Sequence, residues 1–239
     1  MMLETQSITV EREQAYTCSI GERLASLFWL KTLGSICAIS SFFVLYFIVL
    51  KHPLITVREV PLLPLDTWVP VLSSSVWIYF SLWVYICIPS SMMHQAGQLG
   101  VYLLGAFLMS AIGLSVFLFF PTTVPTWEID WSQYRFLYFL KQSDASGNAC
   151  PSLHVAFAVY SGFWLARMLR IVEATWPVHF VNVLWATLIV LSTLTTKQHV
   201  LVDVLVGIPF GLLVFWLNDR IVRALGLNAF TQGLRSCAA

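Results

Sequence analysis

The chain has 239 residues, 58% of them hydrophobic and only 10% charged. Soluble domains carry about 25% charged residues, so this composition describes an integral membrane protein and excludes an ordinary water-soluble enzyme. Thirteen basic residues against twelve acidic ones give a net charge of +1, which lacks the basic footprint of a nucleic-acid binder.

Residues 1–25 are polar, and the first apolar run begins too late and runs too long for a cleavable signal peptide. They are expected to persist as a cytoplasmic segment. Six apolar stretches then approach the ~20 residues a helix needs to cross a bilayer. They cover residues 32–50, 68–88, 99–120, 152–169, 176–196 and 198 to about 218. The expected fold is therefore all-α and polytopic, with six transmembrane helices. Residues 26–225 are expected to form the membrane domain and residues 226–239 a cytoplasmic tail. The tight join between the last two spans predicts an antiparallel hairpin.

Basic residues set the orientation. With the N-terminus inside, the inner segments hold Arg12, Arg23, Lys31, Arg167, Arg170, Arg220, Arg223 and Arg235, and the outer ones hold Lys51, Arg58, Arg135, Lys141 and Lys197. This bias places both termini in the cytoplasm. The compact chain, without an organellar address, is read as a bacterial inner-membrane protein whose site faces the periplasm. The longest loop, residues 121–151, then lies outside and carries Trp127, Trp131, Tyr134, Phe136, Tyr138 and Phe139. Such aromatic density suits a headgroup interface, and residues 134–141 are expected to form a short interfacial helix. Anchoring and substrate contact are both open roles for it.

Ionisable residues at membrane depth are costly and mark function. His199 and Asp203, four residues apart in an apolar segment, are expected on one face of a helix. The carboxylate would fix the imidazole tautomer and leave the other nitrogen nucleophilic. His154 is available as general acid. Ser152 opens a predicted helix, whose free N–H groups favour an anion, and Lys197 adds a full positive charge. Nucleophile, orienter, acid and anion cradle together describe phosphoryl transfer through a phosphohistidine. A satisfied structural histidine, a proton relay, and a zinc site on two histidines and one aspartate are the competing readings, of which the metal site explains neither Ser152 nor Lys197. Five scattered cysteines (Cys18, Cys37, Cys87, Cys150 and Cys237) show neither metal spacing nor a disulfide framework. His52, His94 and His179, at predicted span ends, read as interfacial structural residues. Gly207 and Gly211 flank Pro209 and predict close helix packing and a kink.

At these residues the chain resembles the type 2 phosphatidic acid phosphatase superfamily, membrane relatives of the vanadium haloperoxidases. Pro151-Ser152-Leu153-His154 matches that family's P-S-x-H motif, and His199 to Asp203 matches its H-x-x-x-D motif, with Ser192 at the leading serine position. The resemblance implies His199 as nucleophile, Asp203 as orienter, His154 as general acid and Ser152 as a phosphate ligand, within a helical catalytic core from spans four to six at about residues 121–211. It also implies metal-independent chemistry, with no cofactor, on a lipid-borne phosphate. Two departures stand out: Thr193 occupies the position where the family has Arg, and the Lys/Arg-rich first motif is absent in its usual form. Lys197, Lys141 and Arg135 are the cations expected to hold the phosphate instead. The resulting expectation is a membrane lipid phosphatase at the outer leaflet. A lipid phosphotransferase using the same residues is the alternative, and a non-enzymatic lipid binder or transporter is the second.

Overall fold

The computed structural model describes residues 19–143 and 147–224. The expected tail at 226–239 and most of the N-terminal segment lie outside the described residues. A short helix α1 (Ile20–Ala25) leads into α2 (Phe28–Lys51), whose side chains are exposed or half-buried apart from the buried Lys31 and Leu50. Strand β1 (Arg58–Glu59) and helix α3 (Pro64–Trp68) lie in the following loop. Three short helices continue one another as α4 (Ser75–Phe80), α5 (Leu82–Tyr85) and α6 (Cys87–Ser91). Next come α7 (Ala96–Phe119), strand β2 (Thr122–Thr123) and α8 (Arg135–Ser143), the short helix expected in the aromatic loop. The chain closes with α9 (Leu153–Ile171), α10 (Trp176–Thr195) and α11 (Leu201–Ala224).

Four of these helices, α2, α7, α10 and α11, are long and apolar enough to cross a membrane, and the stretch from Ser75 to Ser91 is a shorter apolar helix. This makes the chain a multi-pass membrane protein. The expected second span begins at residue 75 rather than 68. Helix α3 ends at Trp68, the next residue is extended, and Pro70 cannot continue a helix. The expected fourth span is the helix α9, but it is less apolar, carrying His154, Ser161, Arg167 and Arg170. Its side chains are mostly buried because it packs against α10, α11 and α7 at the centre of the bundle.

Close packing brings α11 onto α9, as the small residues predict. A Cβ on Gly207 would lie 2.8 Å from the Ser152 carbonyl oxygen, and one on Gly211 would lie 2.5 Å from that of Ala156. Only glycine admits this approach. Buried hydrogen bonds lock the same helices: Tyr160 donates to the Tyr102 carbonyl at 2.8 Å, and Asn218 to the Val101 carbonyl at 2.9 Å. At the opposite end from the histidines, Arg23 approaches His94 Nδ1 at 3.2 Å, the structural role expected of His94.

Backbone pairing ties the loops together at the histidine end. Strands β1 and β2 run parallel, with Arg58 opposite Thr122 and Glu59 opposite Thr123. The N–H groups of Ala149 and Cys150 donate to the Thr122 carbonyl and hydroxyl, each at 2.9 Å. Three loops distant in sequence thereby converge around the start of α9.

Candidate active site

The turn joining α10 to α11 sets the geometry. Helix α10 ends with Lys197 in the left-handed region at φ 56°. The Lys197 N–H donates to the Leu194 carbonyl at 3.1 Å, and Gln198 and His199 both donate to the Thr193 carbonyl at 3.1 Å. This is the Schellman pattern that closes helices, here with lysine where glycine is usual. Helix α11 begins only at Leu201, so His199 lies on the turn before it and not on the helix face the spacing predicts. The start is set by two carboxylates: Asp203 Oδ2 accepts from Val200 N–H at 3.0 Å, and Asp66 Oδ1 accepts from Leu201 N–H at 2.7 Å. Having turned back to cap its own helix, the Asp203 carboxylate still meets His199 Nδ1, at 3.3 Å. An imidazole nitrogen facing a carboxylate carries the proton, which leaves the lone pair on Nε2. Asp203 is fully buried, and its Oδ1 has no hydrogen-bond partner among the described residues.

Ser152 is the N-cap of α9, its hydroxyl accepting from Val155 N–H at 3.3 Å. Its own N–H donates to the Asp203 carbonyl at 3.4 Å, joining the two motif-bearing helices. His154 sits in the first turn of α9 and stacks on Tyr79, with ring centroids 3.9 Å apart and planes 7° apart. Its Nε2 donates to the Tyr79 carbonyl at 2.9 Å, since a carbonyl can only accept. Nδ1 is therefore the nitrogen available for proton exchange.

The three expected cations lie elsewhere. Lys197 is buried, with its ammonium donating to the carbonyls of Asp66 at 2.9 Å and Val69 at 2.8 Å and lying 4.0 Å from the Trp127 ring centroid. Burial lowers its pKa, and the Asp66 carboxylate opposes that shift. Lys141 donates to the Lys197 carbonyl at 2.7 Å and lies 5.5 Å from the Trp131 ring. Arg135 is exposed at the first position of α8. Thr193, at the family's Arg position, is fully buried and donates to the Val190 carbonyl at 2.7 Å.

His154 and His199 line one cavity of about 220 Å³, together with Tyr79, Gln198, Asn148 and a wall of Phe and Trp side chains from α2, α4, α5 and α8. Neither Lys nor Arg lines it among the described residues. A second, apolar cavity of about 440 Å³ between α2, α5, α6 and α7 shares Phe42, Trp83 and Phe157 with the first. Among the described residues no group of three or more His, Cys, Asp and Glu is placed to hold a metal ion. Cys150, beside the site, has its thiol pushed up to about 11, by burial first and the Asp203 carboxylate second.

The residues not anticipated are instructive. Tyr79 acts through its ring face and backbone carbonyl, which no motif encodes. Asp66 is a lone acid in a proline-rich loop, and a carboxylate between apolar residues was the signal available. Gln198, a polar residue beside the nucleophile candidate, was visible in the same way.

The fold and site define a multi-pass helical membrane protein in which two histidines and a buried aspartate meet at one end of the core. The PAP2 superfamily profile matches residues 96–226, more than half of the chain, and the protein belongs to that superfamily. No curated protein and no solved structure matches the chain. Membership implies phosphatase-type chemistry on a phosphate ester.

Proposed function

We propose that the protein is a lipid phosphate phosphatase working through a phosphohistidine at His199. The observation that carries this reading is the His199 Nδ1–Asp203 Oδ2 contact of 3.3 Å, which frees Nε2 as nucleophile in a cavity shared with His154. His199 Nε2 attacks phosphorus in line. The bond from phosphorus to the lipid oxygen breaks, and His154, protonated on Nδ1, gives that proton to the departing oxygen. The Tyr79 carbonyl accepts the Nε2–H and fixes the ring, so the proton that is given sits on Nδ1. Water then attacks the phosphohistidine, the P–N bond breaks, and His154 takes the water's proton. Asp203 holds the developing positive charge on His199. Ser152 Oγ takes the Val155 N–H, which leaves the N–H groups of Leu153 and His154 at the start of α9 for the anion.

The apolar cavity that continues the catalytic one supports a hydrocarbon-borne substrate, with headgroup at the histidines and tail between helices. Six crossings, with the Ser75–Ser91 stretch and α9 completing the four long helices, put both termini on one side, and the basic-residue bias assigns them to the cytoplasm. The site then faces the outer leaflet of a bacterial inner membrane. A second reading, transfer to a lipid or sugar hydroxyl in place of water, is favoured by the aromatic wall, which limits water at the phosphohistidine.

The test is phosphate release from a panel of lipid phosphates and diphosphates by purified protein in detergent with chelator present. Wild type releases phosphate and His199→Ala does not. Release that persists in His199→Ala contradicts the reading, and chelator-sensitive release restores the metal alternative. Acceptor-dependent turnover without free phosphate establishes the transferase.

A further inference from the structure

A phosphoryl group moving onto His199 spreads negative charge over its equatorial oxygens, and donors placed there in advance supply most of the stabilisation. The cations that the sequence offers for this task are engaged or exposed, and none lines the cavity among the described residues. Lys197 spends its ammonium on two carbonyls and the face of Trp127, Lys141 holds the Lys197 carbonyl, and Arg135 is exposed.

One side chain on the cavity wall has an unused donor. Gln198 is 6% exposed, lines the cavity beside His154 and His199, and its amide nitrogen is buried with no hydrogen-bond partner among the described residues. A buried donor without a partner costs about 1–3 kcal/mol, so its position calls for an explanation. The backbone around it is rigid: the Gln198 N–H is held by the Thr193 carbonyl, and its neighbour Lys197 is fixed on one side by Asp66, Val69 and Trp127. The carboxamide is thereby held next in sequence to the nucleophile, on a turn whose conformation α10 and α11 both enforce.

We propose that Gln198 is a catalytic residue whose side-chain amide donates a hydrogen bond to a non-bridging phosphoryl oxygen as phosphorus approaches His199 Nε2. It rests on the phosphohistidine reading above and assigns to a neutral amide the task that the sequence gives to a cation. The same Schellman turn that takes Lys197 away from the cavity delivers Gln198 to it.

The test uses the full chain in detergent, with dioctanoyl phosphatidic acid as substrate and orthovanadate as a mimic of the transferring phosphoryl group. Gln198→Met keeps the length of the side chain and removes the donor, and Gln198→Glu keeps its shape and replaces the donor with an acceptor. Loss of a single such donor costs about 10²–10³ in kcat, so Gln198→Met is expected to fall by that factor with KM within about threefold. Vanadate inhibition weakens in parallel, Gln198→Glu falls at least as far, and both variants keep the wild-type thermal midpoint. The proposal is overturned if Gln198→Met retains kcat and vanadate inhibition within about threefold of wild type. It is equally overturned if both variants lose thermal stability in step with activity, which is the mark of a structural role. A wild-type protein that neither releases phosphate nor responds to vanadate removes the phosphohistidine reading itself, an outcome distinct from either.

Discussion

Replacing Asp66 with Asn isolates the contact that positions the catalytic turn from the chemistry on it. Asp66 is 2% exposed, and its two oxygens accept from Leu201 N–H at 2.7 Å and Leu63 N–H at 2.8 Å, while its backbone carbonyl holds Lys197. The carboxylate therefore caps, from 135 residues away, the helix that carries Asp203. Asparagine has the same shape but turns an NH2 toward one of the two N–H donors. Losing one charge-assisted hydrogen bond costs about 1.5–3 kcal/mol. Losing a negative charge at a helix N-terminus adds about 0.3–1 kcal/mol. The sum, about 2–4 kcal/mol, falls short of the ~5–15 kcal/mol that holds a domain folded, so the variant remains folded. At about 2–4 °C per kcal/mol, its thermal midpoint in detergent drops by roughly 5–15 °C. A loosened turn misplaces His199, and displacement on the order of 1 Å is worth about 100-fold in rate. The expected result is thus a large fall in kcat with a smaller change in KM, and Asp66→Ala is worse on both counts. A midpoint within about 1 °C of wild type and kcat within about twofold would refute the positioning argument.

Helix packing and thiol chemistry give two further outcomes. Gly207→Ala puts a Cβ against the Ser152 carbonyl, so backbone must move, at a cost of about 1–3 kcal/mol. We expect kcat to fall at least about tenfold, whereas Gly34→Ala, where nothing lies within 4 Å, is neutral in the same assay. Cys150, its pKa pushed up to about 11, stays a neutral thiol across the physiological range. Because only the thiolate reacts, iodoacetamide labelling of the Cys150 peptide at pH 8 should run about 100-fold slower than for an unperturbed thiol, accelerating as pH rises toward 11. Labelling at the rate of a free thiol, read by peptide mass spectrometry, contradicts the buried environment.

What was legible in the sequence was what the membrane makes expensive. His154, His199 and Asp203 stood out because ionisable groups rarely persist in apolar segments, and the structure brings both histidines to one cavity with Asp203 on His199. Glycines at helix spacing predict close helix packing for a similar reason, since small residues have few other uses there, and the structure shows α9 to be the partner of α11. Hydropathy was a poorer guide to helix limits. It ran through Gln198 and His199 as part of a span, while capping by Asp66 and Asp203 delays the helix to Leu201. It also merged residues 68–74, interrupted by Pro70, with the helix that begins at Ser75. Tertiary contacts lay beyond reach altogether: nothing in the sequence distinguishes a lysine that binds phosphate from one that, like Lys197, fastens two carbonyls and an aromatic ring. Tyr79 was hidden because its contribution comes through a carbonyl and a ring face that any aromatic residue presents.

The covalent intermediate is the centre of the account, and it can be trapped. Phosphatidic acid labelled with ³²P on its phosphate, mixed with protein and quenched in alkali within milliseconds, should leave label on the protein that is stable to base and released by acid. The label should map to the peptide containing His199, and it should be absent from His199→Ala. Label on another residue, or turnover by wild type with no labelled protein at any time point, would contradict a phosphohistidine at His199.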